Sequence, residues 1–148
     1  MGNNSVNTNS NLFFLARPST GISNVTGDGT AYTVIFDTLA NGSGYNTSTG
    51  IFTANNSGYH LFVSLIQVTN LSSSNNDCII NIVTTSQTYQ VFRGNIGALR
   101  TPSNLTTINV QILAYLAAGD TAYTSVQVYN GTKVVGIGGN NLMGRCLT

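Results

Sequence analysis

The chain's 148 residues carry only nine formal charges, five Lys or Arg and four Asp. Their net of +1, without a basic cluster, excludes phosphate-backbone binding as a main activity. With no Glu, one His and one Lys, the composition also argues against helical bundles and coiled coils and leaves few groups for acid–base chemistry. Disorder is excluded in turn: 41% of the residues are hydrophobic, and Val, Ile, Thr, Phe and Tyr together number 56, a β-forming composition able to fill a core.

Residues 1–11 are almost wholly Asn, Ser, Thr and Gly and read as a flexible polar N-terminal arm or a junction to another protein. Residues 12–148 read as one head domain, in which short apolar runs alternate with turn-rich stretches at the spacing of an all-β sandwich. The expected strands are 12–17, 32–37, 50–54, 58–68, 78–84, 87–92, 107–116, 121–129, 133–137 and 142–147. Gly27-Asp28-Gly29, Asn41-Gly42-Ser43-Gly44, Asn55-Asn56-Ser57-Gly58, Ser72 to Asn76 and Gly138-Gly139-Asn140-Asn141 punctuate them. Asn130-Gly131 between Val128-Tyr129 and Lys133-Val134-Val135 predicts a tight hairpin. Thr107 to Ile112 alternates polar and aliphatic residues, as do Ala122 to Tyr129. Tyr59 to Val68 differs, being apolar on both faces, so a second surface must cover that strand, either another sheet or another subunit.

The first residues lack the basic start and apolar stretch of a signal peptide, and no apolar run approaches the length of a membrane span. Neither a secretory route nor membrane insertion is therefore expected. Eight Asn-x-Ser/Thr sequons occur, at Asn3, Asn24, Asn41, Asn46, Asn55, Asn70, Asn104 and Asn130. Chance supplies about half that number in so Asn-, Ser- and Thr-rich a chain, so they say little. Cys78 and Cys146 are too few for a disulfide framework or a metal site and are expected to be buried free thiols.

Tyr32 to Val63 holds Phe36-Asp37, then Tyr45 followed by Gly50 and Phe52, then Gly58-Tyr59-His60-Leu61-Phe62. This resembles the globular head of complement component 1q, within the tumour-necrosis-factor-like superfamily, whose pattern runs Phe-Asp, Asn, Tyr-x-x-x-x-Gly-x-Phe and Gly-x-Tyr-x-Phe. A later family block, Leu-x-x-Gly-Asp between two strands, matches Leu116 to Asp120. The final Leu142-Met143-Gly144-Arg145-Cys146-Leu147 keeps the family's Gly and lacks its two aromatics. The resemblance covers nearly all of 12–147. It implies a ten-strand jelly-roll β-sandwich, complement 1q- and tumour-necrosis-factor-like, that forms a tight homotrimer and binds other molecules through exposed loops. It brings no catalytic, cofactor-binding or metal residues. Read physically, Gly50 relieves backbone strain at a turn, Phe52 packs inward, Gly58 opens a long central strand at a tight corner, and Asp120 bonds back to its local backbone.

Sharper chemical readings each meet a plainer one. His60 has no Gly-x-Ser-x-Gly elbow to serve, and it stands where the family tends to place an aromatic, so it is expected to be a packed or surface imidazole. Asp28 or Asp120 could support calcium only with backbone carbonyls, and no Asp-rich loop accompanies either. Gly136 to Gly139 lack the spacing and the following helix of a phosphate loop. Arg93, Arg100 and Arg145 are scattered, and Arg145 in the final strand suits an interface or pore.

No enzyme, no cofactor and no metal is therefore expected. The composition and resemblance suggest a trimeric structural and attachment module of a virus or phage particle: the head of a fibre, spike or tail. It would join other virion proteins through the N-terminal arms, which leave together from one end, and could engage a host-surface receptor or glycan. The alternative is an extracellular recognition module, secreted or held at the cell surface, lectin-like or cytokine-like.

Overall fold

The structure is a computed structural model and describes residues 13–147. The expected N-terminal arm, Leu12 and Thr148 lie outside the described residues, which hold twelve β-strands and no helix. Their order is β1 Phe13–Arg17, β2 Ile22–Thr26, β3 Ala31–Thr33, β4 Thr38–Gly42, β5 Tyr45–Asn46, β6 Ile51–Thr53, β7 Gly58–Thr69, β8 Asp77–Thr84, β9 Thr88–Gly94, β10 Thr106–Leu116, β11 Thr121–Tyr129 and β12 Val135–Leu147. They form two six-stranded antiparallel sheets packed as a jelly-roll sandwich. The first runs β10-β7-β12-β1-β4 with β2 added on β12; the second runs β5-β6-β11-β8-β9 with β3 added on β11.

The two-sheet architecture agrees with the expectation, while three local readings need correction. First, the strand count is twelve, because β2, β4 and β5 pair through their backbones without an alternating apolar face. Second, the expected strands 133–137 and 142–147 are one strand, β12, whose register against β7 shifts between Gly139 and Asn141. The polar glycine-rich stretch marks a bulge rather than a turn. Third, Asn130-Gly131 does not close a hairpin: β11 belongs to the second sheet and β12 to the first. Asn130 does take the left-handed conformation (φ 66) that such turns need, but the Gly131 amide donates to Gly27 O at 2.9 Å and the chain crosses between sheets. In the expected strand 32–37 only the start pairs in the ladder, since the Phe36 amide donates to the Tyr45 hydroxyl at 3.0 Å.

Asn24, Asn70, Asn104 and Asn130 are the described non-glycine residues with positive φ, and each opens one of the eight sequons. Asn tolerates this conformation because its short amide can bond locally. Half of the sequons thus coincide with turn chemistry.

An aromatic cluster joins the sheets at one end of the sandwich. Phe14 stacks on Tyr45 (5.1 Å between ring centroids) and Phe52 (4.8 Å), and Phe52 meets Phe62 edge-on at 5.6 Å. Gly144 is needed beneath this stack, because a Cβ there would lie 2.2 Å from Phe14 Cε1. Gly50 and Phe52 take the roles read from the sequence, and Tyr45 lies opposite Phe52 in the β5–β6 pair. Gly50 sits at φ 76, where a side chain would also meet Val34 O at 2.6 Å, and both rings are buried.

Burial pushes the Cys78 thiol from an ordinary 9.0 up to about 12, with the nearby Asp77 charge adding to it. Burial likewise pushes Tyr45 from 10.0 to about 12, against the opposing hydrogen bond from the Phe36 amide. Both groups release protons more readily in the unfolded chain, so their contribution to stability is intact below pH 9.0 and is lost as pH rises towards about 12. Thermal melts across this window should fall progressively, at up to about 1.4 kcal/mol per pH unit for each group. Cys78→Val should move the onset towards 10.0, the ordinary value for Tyr45. A melting temperature flat through the window would contradict the assignment.

Candidate functional site

Strand alternation gives each sheet an inner and an outer face, and the two outer faces differ. On the second sheet the outer positions of β8, β9 and β11 are mixed. Asp77, Asn81, Thr88, Gln90, Arg93, Ser125 and Gln127 stand among Ile79, Val83, Tyr123 and Tyr129. Arg93 and Asp77 pair there at 3.0 Å.

The first sheet is different. Cross-strand register sets Tyr115, Tyr59 and Leu147 in one row, and Leu113, Leu61, Arg145 and Phe13 in the next. A third row holds Gln111, Val63, Met143 and Leu15. Tyr59, Tyr115, Leu113 and Leu147 leave 55, 54, 51 and 47% of their surface in solvent, and Leu61, Val63, Met143, Phe13 and Leu15 are half-buried. A contiguous apolar sheet face therefore lies open to water, a feature that in soluble proteins marks an interaction surface. Its apolar character ends at Gln67 and Thr69, which lie over Gly138 and Gly136: Cβ atoms on those glycines would meet Gln67 Oε1 and Thr69 Oγ1 at 2.7 Å each. Gly136 to Gly139 are thus part of β12, in which Gly136 and Gly138 leave room for neighbouring side chains.

Tyr59 to Val68 was read as covered on both faces, and β7 lies centrally between β10 and β12 as that implies. Its inner face, with Phe62, Ser64, Ile66 and Val68, is buried against the second sheet. No second layer covers its outer face among the described residues. Arg145 is set into this face, exposed and in register with Leu61, and Arg17 stands exposed on the same side at the end of β1.

The other candidates are dispersed. His60 points inward, 2% exposed, its Nδ1 at 3.0 Å from Gly58 O and its ring tilted over Phe52 at 5.8 Å. It fills the aromatic position that the resemblance assigns. Cys146 is its cross-strand neighbour, whereas Cys78 pairs with Val128 in the other sheet; both thiols are buried and free. Asp28 and Asp120 stand at opposite ends of β11 and are not brought together. Asp28 Oδ1 accepts from the Thr30 amide (3.0 Å) and hydroxyl (2.7 Å), and Asp120 Oδ2 from the Ala117 amide (2.9 Å). Arg100 donates to Gly97 O at 2.6 Å within its own loop. No group of three potential metal ligands occurs among the described residues.

One cleft, of about 230 Å³, opens between the β1–β2 turn, residues 34–37 and the start of β12. Its lining includes Thr20, Ile22, Tyr32, Phe36, Asp37 and Ile137. Asp37 is its only charged group. The carboxylate already accepts from the backbone amide and hydroxyl of Ser19, with the hydroxyl bond chiefly holding it below the usual carboxylate range. Sequence reasoning did not indicate this cleft, because β2 and the 18–21 turn carry no pattern that separates them from a surface loop.

No protein-family model matches the chain, and no curated protein matches its sequence. Solved structures do match. The globular domain of zebrafish complement 1qA is 15% identical over 93% of this chain and 98% of that one, with a TM-score of 0.62. PRD1 vertex protein P5 is 17% identical over 93% and 96% (TM-score 0.58). Murine APRIL is 11% identical over 90% and 98% (TM-score 0.52). The fold is the complement 1q- and tumour-necrosis-factor-like jelly roll.

Proposed function

We propose that the chain is a non-enzymatic head that works as a homotrimer, displayed as a structural and attachment module on a virus or phage particle. The observation that carries this reading is the uncovered apolar face of the β10-β7-β12-β1 sheet. A protein with nine charges has few means of keeping such faces apart. Closed three-fold symmetry hides them and prevents open-ended growth, whereas head-to-tail contacts that did not close would build fibres. The likeness to a PRD1 vertex protein supports a place on a particle. Residues 1–11, ahead of β1, would join each head to other particle proteins, and loops away from that end would meet a host-surface receptor or glycan.

Mass spectrometry of purified particles tests the location. The chain should be present in stoichiometric amount, and its absence from particles would overturn the virion assignment. The likeness to a complement 1qA head supports the second reading, an extracellular recognition module that would appear in the medium or at the cell surface instead.

The non-enzymatic character has its own test. His60→Phe removes the only imidazole while keeping a flat ring among Phe52 and Phe62. Any biological activity of the chain should stay within about threefold of the parent, since loss of a catalytic general acid–base group costs about 10²–10⁴ in rate. A loss in that range, with folding intact, would contradict it.

A further inference from the structure

The chain contains two Asn-Gly pairs, Asn41-Gly42 and Asn130-Gly131, and the fold treats them oppositely. Asn-Gly is the dipeptide in which the following amide nitrogen reaches the Asn side-chain carbonyl with least obstruction, because glycine has no Cβ. Asn41 is exposed, on the sheet-edge strand β4, and the Gly42 amide nitrogen lies 2.7 Å from Asn41 Oδ1. The Asn41 side-chain nitrogen, the leaving group, makes no hydrogen bond among the described residues. Edge strands also open locally at low cost, which supplies the small backbone motion that ring closure needs.

Asn130 is also exposed, but two hydrogen bonds hold the pair away from ring closure. The Gly131 nitrogen is turned away, donating to Gly27 O at 2.9 Å, and the Asn130 side-chain amide donates to Asn76 Oδ1 at 2.6 Å.

We propose that Asn41 is a site of spontaneous deamidation in the folded protein and that Asn130 is protected from it. The Gly42 nitrogen attacks Asn41 Cγ and loses its proton as the new C–N bond forms. The bond from Cγ to the side-chain nitrogen breaks, and that nitrogen leaves as ammonia, giving a cyclic succinimide. Water then adds to one of the two ring carbonyls and opens the ring, leaving an aspartyl or isoaspartyl linkage at position 41. No oxidant or reductant is involved.

The product replaces a neutral amide by a carboxylate and takes the formal net charge of the chain from +1 to zero. It does so beside the apolar face, because Asn41 pairs with Leu15 in the β1–β4 ladder. The isoaspartyl form also lengthens the backbone of β4, next to the register shift already present between Leu15 and Ala16.

Peptide mapping by mass spectrometry, with isoaspartate quantified after incubation at mildly alkaline pH, tests the assignment. In the folded protein, conversion at position 41 should be at least about tenfold faster than at position 130. In denaturant the two sites should convert at similar rates, since the protection of Asn130 is structural. Asn41→Gln should abolish the change at that position, because the longer side chain disfavours five-membered ring closure. Equal or faster conversion at Asn130 in the folded state, or an unconverted Asn41 under conditions that convert it in denaturant, would overturn the proposal.

Discussion

If the proposed trimer closes on this face, Leu61→Lys is expected to yield a folded monomer of 15.6 kDa. Leu61 lies on the outer face of β7, between Leu113 of β10 and Arg145 of β12. A lysine there would place a second cation beside Arg145 in the middle of an apolar surface. Within one chain it is tolerated, since that face is open to water and the ammonium can reach solvent. In an assembly the same group would have to be buried without a partner, at a cost of several kcal/mol per copy. An apolar interface of more than about 1,000 Å² cannot absorb that at its centre in every subunit. Thr88→Lys, exposed on β9 of the opposite sheet, adds the same charge and should leave the assembly intact. Size-exclusion chromatography with light scattering separates the outcomes, and far-UV circular dichroism should show the same β-rich fold in both variants. If Leu61→Lys assembles like the parent, the face is not the interface.

The largest loss of stability is expected at Phe14. Its ring is fully buried, stacked on Tyr45 and Phe52 and resting on Gly144. Phe14→Ala removes the contacts that tie β1 of one sheet to β5 and β6 of the other and should cost about 3–5 kcal/mol. For a domain of this size that lowers the melting temperature by roughly 10 °C. Gly144→Ala in the parent drives a methyl group into the ring, 2.2 Å from Phe14 Cε1, and should also destabilise. In the Phe14→Ala background the same methyl group enters vacated space, so the double variant should be more stable than the sum of the two losses predicts. A strictly additive pair would mean that the ring does not rest on Gly144.

The strands that carry the core were legible because burial imposes a period of two. Thr107 to Ile112 and Ala122 to Tyr129 alternate visibly and became β10 and β11. The elements that escaped notice are held by backbone pairing at a sheet margin. Ile22–Thr26 and Thr38–Gly42 expose most of their side chains, so no apolar period marks them. Turn chemistry misled at Asn130-Gly131, because a positive φ specifies a local reversal of the chain but not the sheet that the next strand joins.

The same limit applies to function. The two-faced apolar character of Tyr59 to Val68 pointed to a second covered surface, but the extent of that surface depends on pairings across four strands. Arg145 and Leu61 are far apart in sequence and adjacent in the sheet. His60 could be judged from sequence only by the aromatic position it fills in the resemblance; its burial among Phe52 and Phe62 supplies the physical reason.

The proposed homotrimer requires that this open sheet face be closed by copies of the same chain in a three-fold ring. Its most direct test is the solution mass of the purified protein by light scattering at low and high ionic strength. An apolar interface is hardly screened by salt, so the mass should be three times 15.6 kDa under both conditions. A stable species near 15.6 kDa under both conditions would contradict the account.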